Sequence, residues 1–168
     1  MLLSLQIYDI VVKEPKAQNL KRMGRRKMNV VGIWKIKAAA QWDAATMSLV
    51  EKNVEDILAD TSIDDSDKKM LACKFVFKDD GFVYTAMPIP EDMPKEEIDE
   101  YIASGEGFLV DGLLGIERKE WKEEDGKVKF NTGTKGEVLG EAIDPWAEIT
   151  ENADGSIKFF TYTLVKDE

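Results

Sequence analysis

The sequence contains no histidine and a single cysteine, Cys73. Without imidazole there is no Ser-His or Cys-His nucleophile pair, no His-ligated zinc and no ordinary proton shuttle at neutral pH. Any catalysis would fall to carboxylates, Lys or Tyr. One cysteine forbids an intramolecular disulfide and fits a reducing compartment, so a cytoplasmic location is expected. In the stretch Met70 to Phe75 the thiol falls on the apolar side of a strand and reads as a small buried hydrophobe. Cations are also scarce: 23 Lys and Arg stand against 33 Asp and Glu, a net charge of -10. Such a surface repels phosphate backbones and anionic bilayers, which speaks against nucleic-acid partners. No apolar run is long enough to cross a membrane as a helix.

What is present falls into two unequal parts. Residues 1–27 read as an amino-terminal extension. A short apolar run (Leu2, Leu3, Leu5, Ile7, Ile10, Val11, Val12) is followed by Lys21, Arg22, Arg25, Arg26 and Lys27. A secretory signal places its positive charge first, so the order here is reversed. Two readings of the extension stay open. It is a disordered basic arm, or, if Arg25 and Arg26 are both encoded by AGG, those codons form a bacterial ribosome-binding site and Met28 is the true start. Without these residues 16 basic and 31 acidic side chains remain, a net charge of -15. Residues 28–168 read as one domain, large enough for a sizeable core.

That domain opens with Val30-Val31-Gly32-Ile33-Trp34-Lys35-Ile36-Lys37 and nearly ends with Ile157 to Val165, which also reads as a strand. A glycine two residues before a tryptophan lets the chain bend while the large ring fills the closed end of a small barrel. Between the two segments lie short strands and Gly-containing turns, Asp79-Asp80-Gly81 and Glu124-Asp125-Gly126 among them. The fold expected is mainly β: an antiparallel up-and-down barrel of about eight or more strands with two short helices. The first helix is expected from Asp43 to about Asp60, with Met47, Val50, Val54, Ile57 and Leu58 on one face. The second is expected to start at Pro94 and stop near Gly105.

On the Gly32-Ile33-Trp34 motif and this strand order, the chain resembles the calycins, the group of lipocalins and intracellular fatty-acid-binding proteins. The resemblance covers about Asn29 to Lys166 and implies a barrel that holds a small lipophilic ligand, with a helical lid after the first strand. Three features depart from the pattern. A helix falls between the third and fourth strands, no carboxy-terminal helix follows the barrel, and the Arg-x-Tyr head-group pair of the fatty-acid-binding proteins is broken. Tyr162 is present, but Phe160 stands where the arginine would be.

The expected ligand set follows from strand alternation. A turn at Asp79-Asp80-Gly81 places Phe77 opposite Val83 and Phe75 opposite Thr85, so Phe75, Phe77 and Met87 share an inner face. Trp34 and Ile36 lie toward its base. Arg118 follows Leu114 and Ile116 at period two and aligns with Val128 and Phe130 across the next turn, so it is expected to point inward and anchor an acidic ligand beside Tyr162. An ion pair with Glu120 or an outward-facing strand is the alternative. The acidic clusters Asp64 to Asp67 and Asp79 to Gly81 lack the ligand spacing of an EF-hand and read as turns. No metal or other cofactor is implied.

Three function classes remain. The first is non-catalytic binding of a small lipophilic molecule in the barrel cavity. The second is a calycin-type enzyme using carboxylate, Tyr or Lys chemistry. The third is a filled barrel that acts through a protein-interaction surface. A cavity above roughly 300 Å³ with apolar walls favours the first, and a filled interior the third.

Overall fold

The computed structural model describes residues 27–168. The expected extension therefore lies outside the described residues, except for Lys27, whose ammonium is 2.9 Å from Glu123. The strands are β1 (Gly32–Asp43), β2 (Ser48–Asn53), β3 (Lys74–Phe77), β4 (Phe82–Met87), β5 (Phe108–Val110), β6 (Leu113–Glu124), β7 (Lys127–Asn131), β8 (Glu137–Val138), β9 (Glu141–Ala142), β10 (Trp146–Glu151), β11 (Ile157–Phe159) and β12 (Tyr162–Lys166). The helices are α1 (Val54–Ala59), α2 (Asp65–Met70) and α3 (Lys95–Ala103).

Eight strands close an antiparallel barrel in the order β1, β3, β4, β6, β7, β10, β11, β12, with β12 returning to β1. Closure thus joins the beginning and the end of the described chain, Trp34 opposite Lys166 and Ile36 opposite Leu164. β1 is long enough to serve three neighbours: its start pairs with β3, its middle with β12 and its end with β2. A bulge at Lys37 shifts the register between Ile36 and Ala38, so that Ala39 comes to stand opposite Tyr162. An extra residue of this kind bends a strand, which lets β1 leave the wall and continue into the β1–β2 ribbon.

The β3–β4 hairpin has the expected register, Phe77 opposite Val83 and Phe75 opposite Thr85. The Asp80 carboxylate holds its turn by accepting the Phe82 N–H at 2.9 Å. Between β6 and β7 the loop shortens to Asp125-Gly126, both with positive φ (54° and 74°), the two-residue turn whose twist suits a hairpin.

Two expected elements differ. The helix from Asp43 to Asp60 forms only in its last part. Asp43 does not cap a helix: its carboxylate accepts the Ala45 N–H at 3.0 Å and the Thr46 hydroxyl at 2.9 Å, and so turns the chain back on itself. β2 then pairs with β1, Trp42 opposite Leu49, and α1 starts at Val54. A separate helix, α2, is capped by Asp64, which accepts the Ser66 N–H at 2.6 Å, so the described residues hold three helices rather than the two expected. The second correction concerns Ile157 to Val165, which is not one strand. It folds at Phe160 and Thr161 into the β11–β12 hairpin, Phe159 opposite Tyr162. Phe160 takes a positive φ of 53° without being glycine, and its ring packs on Phe130 with centroids 4.4 Å apart. The helix expected at Pro94 forms as α3, with the Pro94 carbonyl accepting the Glu97 N–H at 3.1 Å.

Candidate functional site

Alternation along the strands sends Trp34, Ile36, Phe75, Phe77, Val83, Val128, Phe130, Ile149, Ile157, Phe159 and Leu164 into one buried cluster inside the barrel. Phe159 is its hub. Its ring centroid lies 4.5 Å from Phe130, 5.0 Å from Phe75 and 5.6 Å from Phe77, so side chains from β3, β7 and β11 meet across the interior. Five of the residues expected to line a cavity, Trp34, Ile36, Phe75, Phe77 and Phe130, are brought together here as packed core.

At the closed end the chain before β1 crosses beneath the barrel. Gly32 makes the crossing with a φ of 132°, which a side chain would strain. Val30 is buried against the cluster, and the indole Nε1 of Trp34 donates to the Val30 carbonyl at 2.7 Å. Lys166, at the end of β12, stands 5.2 Å from the Trp34 ring centroid and donates to the Val31 carbonyl at 2.9 Å. Trp121 fills the adjoining corner, with its Nε1 donating to the Lys78 carbonyl at 2.9 Å.

The opposite end carries the short helices α1 and α2. α1 sends one fully buried side chain, Ile57, toward the barrel, and α2 has no buried side chain at all. Beside them is a pocket of about 240 Å³ lined by Ile57, Ile63, Met70 and Leu71 on the helix side and by Ala39, Ala40, Gln41, Thr161 and Tyr162 on the barrel side, with Asp67 at its edge. Tyr162 is half-buried and supplies a polar group to this wall; burial, with Cys73 and Asp67 nearby, pushes its hydroxyl above the ordinary value. Cys73 itself is buried and burial alone pushes its thiol up, which leaves it a packing residue rather than a nucleophile. Met87 is half-buried on β4, opposite Leu114.

Arg118 is not in the interior. β4 and β6 slip by one residue between Thr85 and Ala86, so Ile116 is the extra residue of a bulge and everything after it changes face. Arg118 therefore stands opposite Tyr84 on the outer wall, its guanidinium carbon 4.7 Å from the Phe82 ring centroid. Glu117 and Lys119, which stand opposite Thr85 and Val83, are paired at 2.6 Å, and Glu117 stays exposed. Arg118 and Tyr162 consequently do not share a site.

Sequence reading gave no role to Phe159 or to the lid residues Ile63, Met70 and Leu71. The alternation of Ile157 and Phe159 was a visible signal for the first; the second depend on α2, whose only sequence mark is its Asp64 cap. Among the described residues no three His, Cys, Asp or Glu side chains are grouped to hold a metal ion, and no helix is long and apolar enough to cross a membrane. A closed β-barrel of this kind is compatible with ligand binding. Comparison with protein families, with curated proteins and with solved structures finds no match to this chain.

Proposed function

We propose that the chain is a calycin-type, non-catalytic binder of a small lipophilic molecule, held at the lidded mouth of the barrel rather than deep inside it. The observation that carries the reading is the lid: α2 buries no side chain, yet with α1 it borders a pocket of mixed lining, in which Ile57, Ile63, Met70 and Leu71 stand beside the polar groups of Gln41, Asp67, Thr161 and Tyr162. A segment with so few buried contacts opens at little cost, and lids of this kind admit a ligand and close over it. At about 240 Å³ the partly open pocket lies below the roughly 300 Å³ of ordinary ligand sites, so the molecule it takes is small or reaches out past the helices. The resemblance in the Gly32–Trp34 motif supports the calycin assignment, the absence of histidine the non-catalytic one, and the lone Cys73 a reducing, cytoplasmic setting.

A second reading has its own observation. The Phe159 cluster fills the lower barrel, as in a barrel that acts only through its surface. Titration with the neutral, lipophilic dye Nile red separates the two. Saturable binding with blue-shifted emission is expected, and Met70→Glu, a half-exposed position on the lid, should weaken it about tenfold, equivalent to about 1.4 kcal/mol. Equal affinity in both proteins would move the dye away from the lid and overturn the proposal. No saturable binding would leave the surface reading.

A further inference from the structure

Part of the wall formed by β1, β3 and β4, around Val76 and Ala86, is buried on both faces. Val76 and Ala86 point away from the interior, yet both are fully buried, because residues 88–112 fold back across the outside of the barrel. β5 pairs with the start of β6, Phe108 opposite Gly115 and Val110 opposite Leu113, and so lays Phe108 and Val110 over the outer face. Gly115 makes room for this: a Cβ there would lie 2.1 Å from the Phe108 ring. A second small core results, separate from the one inside.

Its edge is open. Between β5 and the outer faces of β4 and β6 lies a cleft of about 660 Å³, within the range of small-molecule sites. Tyr84 and Phe108 form its floor, with ring centroids 5.5 Å apart in an edge-to-face pair. Leu109 and Ile116 stand at its rim, 55% and 41% exposed. Arg118 closes one side, beside the Phe82 ring.

The acids that share this surface are engaged elsewhere. Asp80 accepts the Tyr84 hydroxyl at 2.7 Å, Asp111 pairs with Lys78 at 2.7 Å, and Glu117 pairs with Lys119 at 2.6 Å. Glu120, on the same face as Arg118, makes no ion pair with it. Among the described residues no carboxylate lies within 4.0 Å of the Arg118 guanidinium. It is also the only arginine after residue 26, in a domain that uses lysine for every other cation. A planar guanidinium recognises a planar anion through two parallel hydrogen bonds, which lysine does not do.

We propose that this outer cleft is a binding site for a small amphipathic carboxylate, its carboxylate paired with Arg118 and its aromatic or aliphatic body over Tyr84, Phe108, Leu109 and Ile116. A monoanion fits better than a phosphate dianion, because Lys78 in the cleft is already paired with Asp111, which among the described residues leaves Arg118 as the one cation lining it without an ion pair, and the domain as a whole is strongly acidic. The site shares no residue with the lidded pocket, so it stands or falls independently of the function proposed above.

The probes are 2-naphthoate and its neutral analogue 2-naphthamide, titrated into the full chain and followed by backbone amide chemical shifts. 2-Naphthoate should bind saturably, with shifts centred on Tyr84, Leu109, Ile116 and Arg118. Arg118→Met should weaken 2-naphthoate at least about tenfold and leave the weaker 2-naphthamide unchanged. Arg118→Lys should recover only part of the loss, because it restores charge without the planar pair. Leu109→Asp, at an exposed position, should weaken both probes. Equal losses of both probes in Arg118→Met, full recovery by Arg118→Lys, shifts centred on the lid residues, or no saturable binding of 2-naphthoate would each overturn the proposal.

Discussion

In the packed half, Trp34, Phe77 and Phe159 are buried together, and the Trp34 indole is tied by a hydrogen bond to the crossing chain. At the mouth, Leu58 and Met70 stay exposed and only Ile57 is driven fully inward. One barrel thus has a half that resembles the interior of a rigid protein and a half whose cover rests lightly on it. The difference teaches where stability and adaptability are placed. Aromatic rings in mutual contact resist any rearrangement, whereas a cover with one anchor moves without disturbing them.

The sharpest way to break the comparison is to empty the packed half. Phe159→Ala and Trp34→Ala should each cost about 3 to 5 kcal/mol, the range for removing a buried aromatic side chain. Chemical denaturation checks this, and a loss below about 1 kcal/mol at either position would mean the closed end is not where stability resides. Ile57→Ala, the anchor of the lid, should cost about 2 kcal/mol, at the low end for such a truncation because a loosely held segment collapses into the space. Its signature should also be local: faster amide exchange in α1 and α2 with little change in β3 and β7.

A gentler probe is acid. Asp167 accepts from Lys74 at 2.5 Å and lies 3.4 Å from Lys35, and these ammonium groups, Lys74 above all, hold its carboxyl below the usual 3.8. A lowered folded-state value means stability that is present above that pH and lost as pH falls through the carboxylate range. The clasp joins β3 and β1 just beyond β12, at the closed end. Asp167→Asn should therefore lower the melting temperature at pH 7 and make no difference at pH 2. The smallest effect belongs to Met70→Ala, which should change stability by less than about 0.5 kcal/mol, as for most exposed positions.

The closed end was largely legible in the sequence. A Gly-x-Trp at the head of an alternating strand and an Asp-Asp-Gly turn at a single spacing left one register for β3 and β4, and that register is observed. Arg118 was not legible, because alternation is only as good as the register beneath it. One extra residue at Ile116 reverses the face of all that follows, and its one local mark, the adjacent Gly115, does not by itself distinguish a bulge from a close contact. The break at Phe160 was hidden for a similar reason, since a phenylalanine with positive φ is stabilised by Phe130, a partner distant in sequence. The first helix was misplaced because residues at spacings of three and four, such as Val50 and Val54, fit a helix locally. The competing pairing with Trp42 and its neighbours appears only once β1 is known to run on to Asp43. The filled interior depends on which strands face one another across the barrel, which is a property of closure rather than of any segment.

Closure by β1 and β12 also sets a timetable. During synthesis β1 emerges early with Ile33, Trp34 and Ile36 uncovered, and its second neighbour in the wall does not exist until Tyr162 to Lys166 have been made. Contacts so far apart in sequence form slowly, and an unpaired apolar strand is a template for another chain meanwhile. The barrel closes only once β12 has been made, however much of the remaining sheet has formed before it.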